Sequence, residues 1–235
     1  MRVCQNTHQG IVRANNQDSL LVSQRIYGVA DGMGGHKGGE TASRVAVEVL
    51  TAALGNKTPD EKALRLAVDA ANRRIFSMSA EDENLQGMGT TLTFLWEGEE
   101  QILIGHVGDS RAYRFREGKL EQLTLDHSMV AELVRKNVIT PEMAKTHPYR
   151  NIITRAVGID PIVETDVLTA DKQPGDRWLI CSDGLYNMVE DEEISRILTD
   201  MDDEKASARL MELALENGGT DNISFVICRI EEAEA

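Results

Sequence analysis

The chain has 235 residues, 41% apolar and 27% charged, with five prolines and three cysteines. Acidic residues outnumber basic ones 39 to 25, a formal net charge of −14. This balance repels nucleic-acid backbones and anionic membrane surfaces, and no cluster of Lys and Arg offsets it locally. No apolar stretch approaches the ~20 residues of a membrane span, and the first ten residues lack the apolar core of a signal peptide. Cys4, Cys181 and Cys228 are widely spaced and form no CxxC pair, which reads as reduced thiols in a cytoplasmic protein. The composition is that of a globular chain with room for a sizeable core. With no repeat or linker, residues 1–235 read as one domain.

In chain order, SLLVS (19–23) and IYGVA (26–30) are short apolar runs separated by Gln24-Arg25, the pattern of a hairpin. Over 40–54 the apolar residues Ala42, Val45, Ala46, Val49, Leu50, Ala53 and Leu54 recur at steps of three and four, one face of a helix. A second helix is expected to start with Thr58 as N-cap, Pro59 in the first turn and Glu61 at the capping-box position. A strand meander follows at 90–98, 100–108, 110–118 and 119–124. Residues 126–160 are less regular and read as a largely helical insertion with a Thr-Pro-Glu helix start at 140–142. Strands return at 163–168 and 176–182. Two acid-capped helices near 190–199 and 202–217 and a final strand at 222–230 close the chain. This order lacks the alternation of a parallel sheet. It fits two mainly antiparallel sheets between helix pairs.

The informative feature is where aspartates fall. Asp18 precedes the first hairpin strand and Asp31 follows the second. Asp109 sits between two meander strands, Asp183 follows RWLICS, and Asp221 precedes NISFVICRI. If Gln24 and Arg25 form the hairpin loop, residue i pairs with residue 49 − i, so Asp18 faces Asp31. If the strands before Asp183 and after Asp221 are antiparallel neighbours, those two share the same sheet edge. Singly, Asp31-Gly32, Asp183-Gly184 and Asp221-Asn222 each read as turns. Together they pose an electrostatic problem. Two carboxylates ~4 Å apart repel by ~4 kcal/mol at an effective dielectric of 20, and several such pairs would erode a stability of about 5–15 kcal/mol. Either protons or cations sit among them. All-oxygen ligands select hard ions, Mg²⁺ or Mn²⁺, that keep several waters, as in two-metal hydrolysis.

The segments GIVRANNQDS (10–19), VADGMGGHKGG (29–39), GMGTTL (87–92), HVGDSRAYR (106–114), LTLDHS (123–128), HPYRNIITRAVG (147–158), LICSDGL (179–185) and GGTDNIS (218–224) resemble the protein phosphatase 2C (PPM) family, closest to its compact bacterial branch. They span nearly the whole chain in the family's order. The resemblance implies an α+β fold, a four-layer helix–sheet–sheet–helix sandwich with two mainly antiparallel sheets and a flap insertion at about 126–160. It implies a metal-dependent protein-serine/threonine phosphatase that hydrolyses phosphoserine and phosphothreonine with a metal-bridging water and no covalent intermediate. It implies two Mn²⁺ or Mg²⁺ ions and room for a third. Asp31 would bridge the ions, the Gly32 carbonyl would bind one, and Asp183 and Asp221 the other. Asp18 would hold metal-bound waters. Asp109, with Asp183 and Asn151, would form the third site.

Arg13 matches the family's phosphate-binding arginine, whose planar fork suits two phosphate oxygens. Where many eukaryotic relatives have a His after Asp-Gly, this chain has Met33. His36 is then the nearest imidazole able to protonate the leaving alkoxide. The expected partners are phosphorylated proteins and a cognate Ser/Thr protein kinase with its substrates, met by a monomer. Two other readings compete. One is a nucleotide-binding protein using the glycine-rich loop at 32–39, but that loop fits neither the Walker nor the dinucleotide spacing. The other is a non-catalytic phosphoprotein-binding relative, which would have no use for a full set of metal aspartates.

Overall fold

The computed structural model describes residues 1–34 and 38–231. It opens on β1 (Arg2–His8), a strand that the spacing of apolar residues does not predict, followed by the hairpin β2 (Asp18–Val22) and β3 (Ile26–Met33). Helices α1 (Gly38–Leu54) and α2 (Glu61–Glu81) come next. The expected meander is β4 (Gly89–Thr90), β5 (Leu92–Glu97), β6 (Gln101–Val107), β7 (Arg111–Arg116) and β8 (Lys119–Gln122). Two short helices, α3 (Met129–Arg135) and α4 (Pro141–Lys145), precede β9 (Asp166–Asp171), β10 (Arg177–Cys181) and the single-turn α5 (Asp183–Tyr186). Helices α6 (Asp191–Asp200) and α7 (Asp203–Glu216) and strand β11 (Ile223–Arg229) complete the described chain.

The strands form two sheets, β1-β11-β10-β7-β8 and β2-β3-β5-β6-β9, with β4 paired to β3. Every pairing between named strands is antiparallel. Period-two side-chain alternation places three apolar layers. On β10 and β11, Trp178, Ile180 and Val226 point between the sheets, where they meet Tyr27, Val29, Leu95 and Ile104. The alternate residues Leu179, Phe225 and Ile227 pack under α6 and α7 against Ile194, Leu198 and Leu210. Phe94 and Trp96 of β5 turn the other way and meet Leu50, Leu64 and Ile75 of α1 and α2. Each such side chain contributes roughly 1.5–3 kcal/mol relative to exposure, so the four layers are held by three stacked interfaces.

Several expectations change in detail. Helix α2 is capped by Asp60, whose carboxylate accepts from the Ala63 N–H at 2.7 Å, and not by Thr58. The Thr-Pro signal works as expected in α4, where Thr140 caps the Met143 N–H and Pro141 follows. The 126–160 segment is mostly turns and loop around α3 and α4, less helical than expected. The strand expected at 163–168 begins at Asp166. The three cysteines lie in β1, β10 and β11 and are free. Among the described residues no helix is long and apolar enough to cross a membrane.

Candidate active site

Hairpin register brings the first acidic pair together. Asp18 pairs with Asp31 across β2 and β3 as the loop count requires. The Asp31 main chain is held on both sides: its N–H donates to Thr91 Oγ1 at 2.9 Å, and its carbonyl accepts from the Thr91 N–H at 2.8 Å and from Thr90 Oγ1 at 2.9 Å. Gly32 follows, with its N–H donating to the Gln17 carbonyl at 3.2 Å. A Cβ there would fall on the carbonyl oxygen of Gly39 in the first turn of α1. Glycine is needed because helix and strand backbones meet at this point.

The second sheet delivers the other acids. β10 and β11 are antiparallel neighbours, so Asp183, just past β10, and Asp221, just before β11, lie at one edge. The Ser182 hydroxyl donates to Asp18 Oδ2 at 2.9 Å, joining the two sheets. Asp183 Oδ2 accepts from Asn187 Nδ2 at 3.1 Å. Asp109 sits in the turn after β6, is 7% exposed, and its carbonyl accepts from the Tyr186 hydroxyl at 3.0 Å. Arg13 reaches the group from the 10–17 loop and donates through Nη2 to Asp221 Oδ2 at 2.7 Å.

The electrostatics are those of crowded carboxylates. Burial, then the fields of Asp18, Asp183, Asp109 and Asp221, pushes Asp31 well above the ordinary carboxylate range. Burial, then Asp109, Asp221 and Asp18, does the same to Asp183, against the opposing pull of Arg13. Asp18 is raised to about 6, chiefly by burial and despite the hydroxyl groups that donate to it. Asp109 rises to about 7, through burial and then Asp126. Asp18 Oδ1 and Asp183 Oδ1 are buried and, among the described residues, have no hydrogen-bond partner. A buried acceptor left unpaired is costly. Two such oxygens among five carboxylates and one arginine fit divalent cations held by oxygen. Among the described residues no three His, Cys, Asp or Glu side chains stand as a ready-made ligand cluster. Hard ions that keep several waters do not need one.

Asp18, Asp31, Gly32, Asp109, Asp183, Asp221 and Arg13 thus gather at one end of the two sheets. Asn151 is exposed in a turn closed by the Ile152 N–H on the Tyr149 carbonyl, and among the described residues no hydrogen bond ties it to Asp109. His36 lies outside the described residues. Asn222, which singly reads as a turn residue, does more than close a turn. It is 5% exposed. Its Oδ1 accepts from the Gln17 N–H at 2.8 Å, and its Nδ2 donates to the carbonyls of Gln9 at 2.8 Å and Asn15 at 2.9 Å. One side chain thereby fixes the loop bearing Arg13 to the strand beside Asp221. The sequence signal for it was only its place after Asp221, because its partners lie some 205 to 213 positions away.

The chain belongs to the protein phosphatase 2C family, whose model matches residues 6–216. It is 39% identical over 236 residues to the serine/threonine protein phosphatase PstP of Mycobacterium tuberculosis, an alignment covering 98% of this chain and 45% of the relative. It thus spans about half the length of that curated relative. It is also 39% identical to the serine/threonine phosphatase stp of Listeria monocytogenes, covering 94% of this chain and 92% of that one. Among solved structures, the M. tuberculosis phosphatase PstP/Ppp superposes with a TM-score of 0.93 at 39% identity, over 98% of this chain and 99% of the other. The PstP catalytic domain in complex with two manganese ions gives 0.90 at 38% identity, with 98% of each chain covered. The four-layer α+β sandwich is the fold of this family.

Proposed function

We propose that this chain is a metal-dependent protein-serine/threonine phosphatase, with Asp31, the Gly32 carbonyl, Asp183 and Asp221 holding two Mn²⁺ or Mg²⁺ ions. Asp18 orients waters around them, and Asp109, with Asp183 and Asn151, offers a third position. The observation that carries this reading is the pair of buried oxygens, on Asp18 and Asp183, without a partner among the described residues, in a cluster where Asp18, Asp31, Asp109 and Asp183 all have raised pKa values. When bound, the ions supply Lewis-acid polarisation of the phosphoryl group and a water acidic enough to serve as nucleophile near neutral pH. The manganese reported with the PstP domain supports this assignment.

The protein's own residues do the rest. Arg13 gives one nitrogen to Asp221, leaving other N–H donors of its fork for phosphoryl oxygens, and it neutralises charge that grows on them. Thr90 and Thr91 hold Asp31, and Asn222 holds the Arg13 loop, so both groups are positioned before substrate arrives. His36 is the proposed proton donor to the leaving serine or threonine oxygen. We read residues 1–235 as a single catalytic domain with its flap at about 126–160. Its partners would be phosphorylated proteins and a cognate Ser/Thr kinase, its working state a monomer, and its place the cytoplasm.

A phosphopeptide assay run with Mn²⁺, with Mg²⁺ and with EDTA tests the reading. Turnover that depends on either ion and disappears with the chelator is expected. Full turnover after thorough metal removal would contradict it.

A further inference from the structure

The motif LTLDHS is not absorbed by the site as described, and its histidine is placed unusually. His127 is 4% exposed and lies at the start of the flap segment. Its own N–H donates to the Gly108 carbonyl at 2.8 Å, and its ring Nδ1 accepts from the Gly108 N–H at 3.0 Å. Main chain and side chain of one residue thus grip the donor and the acceptor of a single glycine. That glycine immediately precedes Asp109.

The tautomer follows from the partners. A backbone N–H can only donate, so Nδ1 carries the lone pair and the proton of the neutral ring sits on Nε2. Nε2–H then donates to Asp166 Oδ2 at 3.1 Å. Arg155 Nη1 also lies close to Nε2, but both are donors, and its hydrogen bond goes to Asp166 Oδ1 at 2.7 Å. Burial lowers the pKa of the ring, which agrees with the neutral form. His106, also buried, stacks on it with centroids 4.6 Å apart and contributes no charge, its own pKa being lowered to about 4, chiefly by burial.

Gly108 needs such a grip. Its φ is +106°, and a Cβ there would strike Thr91. A glycine in this region has no side chain to lock its dihedrals. The next peptide is held from the other side, where the Tyr186 hydroxyl donates to the Asp109 carbonyl. The Tyr186 ring lies under the Arg111 guanidinium, 3.7 Å from its centroid, and Arg111 is itself bound to Asp126, the residue before His127.

We infer that His127 is a positioning residue for Asp109: its Nδ1, through the Gly108 N–H, sets the turn that aims the Asp109 carboxylate at the cation site. Asp166 acts one step further back by holding the proton on Nε2. This inference rests on the metal-phosphatase reading above. It concerns only the ion served by Asp109, whereas the ions at Asp31 do not depend on it.

The test uses the full chain and three variants. His127→Asn keeps an acceptor near the Nδ1 position and loses the link to Asp166. His127→Gln keeps a donor near Nε2 and loses the acceptor. His127→Ala loses both. Mn²⁺ binding is measured by calorimetry, and thermal stability is measured in EDTA. Removing a group that orients a metal ligand typically costs 10–100-fold in affinity. His127→Gln and His127→Ala should weaken by that factor the Mn²⁺ site that Asp109→Asn removes, His127→Asn should restore most of it, and the other sites should stay put. Asp109→Asn should abolish the same site, and adding His127→Ala to it should change nothing further. Equal Mn²⁺ affinity in all three variants, or equal losses in Asn and Gln variants, would overturn the inference while leaving the phosphatase reading intact. A wild-type chain that binds no Mn²⁺ would overturn both. If His127→Ala does not fold, the contrast between Asn and Gln still decides.

Discussion

The β10–β11 ladder carries acids at both ends and treats them in opposite ways. At one end Arg177 pairs with Arg229 in register, and both guanidinium groups close on Asp203, which is 3% exposed. Arg177 Nε lies 2.8 Å from Oδ1, and Arg229 donates to both oxygens at 2.6 and 2.9 Å. At the other end Asp183 and Asp221 face Asp18, Asp31 and Asp109; among the described residues Arg13 is paired to Asp221, and Arg111 only partly offsets Asp109. A buried charge kept for stability is paired and fully hydrogen-bonded. A buried charge that is left short of partners marks a place where something else must bind.

That contrast can be broken by mutation at either end. The largest expected effect is that of Asp31→Asn. Loss of several kcal/mol of ion-borne transition-state stabilisation corresponds to at least ~10³-fold in kcat, while the melting temperature in EDTA stays level or rises because a repulsive charge has gone. A variant that retained half its turnover would remove Asp31 from the site. Asp203→Ala should do the reverse. It strands two arginines and costs about 3–5 kcal/mol of stability, seen as a lower denaturant midpoint, with kcat per folded molecule unchanged.

Acidity sharpens the comparison further. Asp18 and Asp109 are raised to about 6 and 7, and Asp31 and Asp183 are raised well above the ordinary range. The folded chain therefore holds protons there that the unfolded chain has already released. Their contribution to stability is whole below the unfolded carboxylate range and is lost progressively as pH rises, through about 6 for Asp18 and about 7 for Asp109. In EDTA the wild-type midpoint should decline from pH 5.5 to 7.5 more steeply than that of Asp31→Asn, and Mn²⁺ should raise it more at pH 7.5 than at pH 5.5. Parallel slopes for the two proteins would count against the cluster as the source.

Arg13→Ala should raise KM for phosphopeptides ~10-fold, the worth of one charged hydrogen bond of about 1.5 kcal/mol, and weaken inhibition by phosphate. An unaltered KM would place Arg13 outside the substrate site. The smallest effect is expected from exchanging the 129–155 part of the flap. It should change preference among phosphopeptides and leave p-nitrophenyl phosphate turnover within about twofold, since loops beside a site tune recognition. Equal losses on both substrates would speak for a structural role instead.

What could be read from the chain followed from local physics. The register Asp18–Asp31 came from a two-residue loop and period-two alternation, and the shared edge of Asp183 and Asp221 from strand adjacency. Helix α2 shows where local rules compete: Thr58 and Asp60 both offer a cap, and the carboxylate nearer the helix takes the Ala63 N–H. In α4 no such rival stands beside Thr140. β1 went unread because an edge strand facing solvent has little apolar alternation to show, and its identity comes from pairing with β11 at the far end of the chain. Asn222 and His127 were missed as actors for the same reason. Their roles lie in hydrogen bonds to partners distant in sequence, or to backbone groups, and neither leaves a mark on spacing.

The pairing of Arg13 with Asp221 has a consequence for the order of events. The guanidinium rests on a carboxylate that, in the proposed reading, an incoming cation would also use. A cation taking Asp221 loosens the arginine's present attachment and frees its fork for an anion. An anion drawing on the remaining N–H donors of Arg13 in turn competes with Asp221 for the guanidinium charge and leaves that carboxylate more open to the cation. Linkage makes these two effects equal in size, so phosphate and metal should each draw the other in.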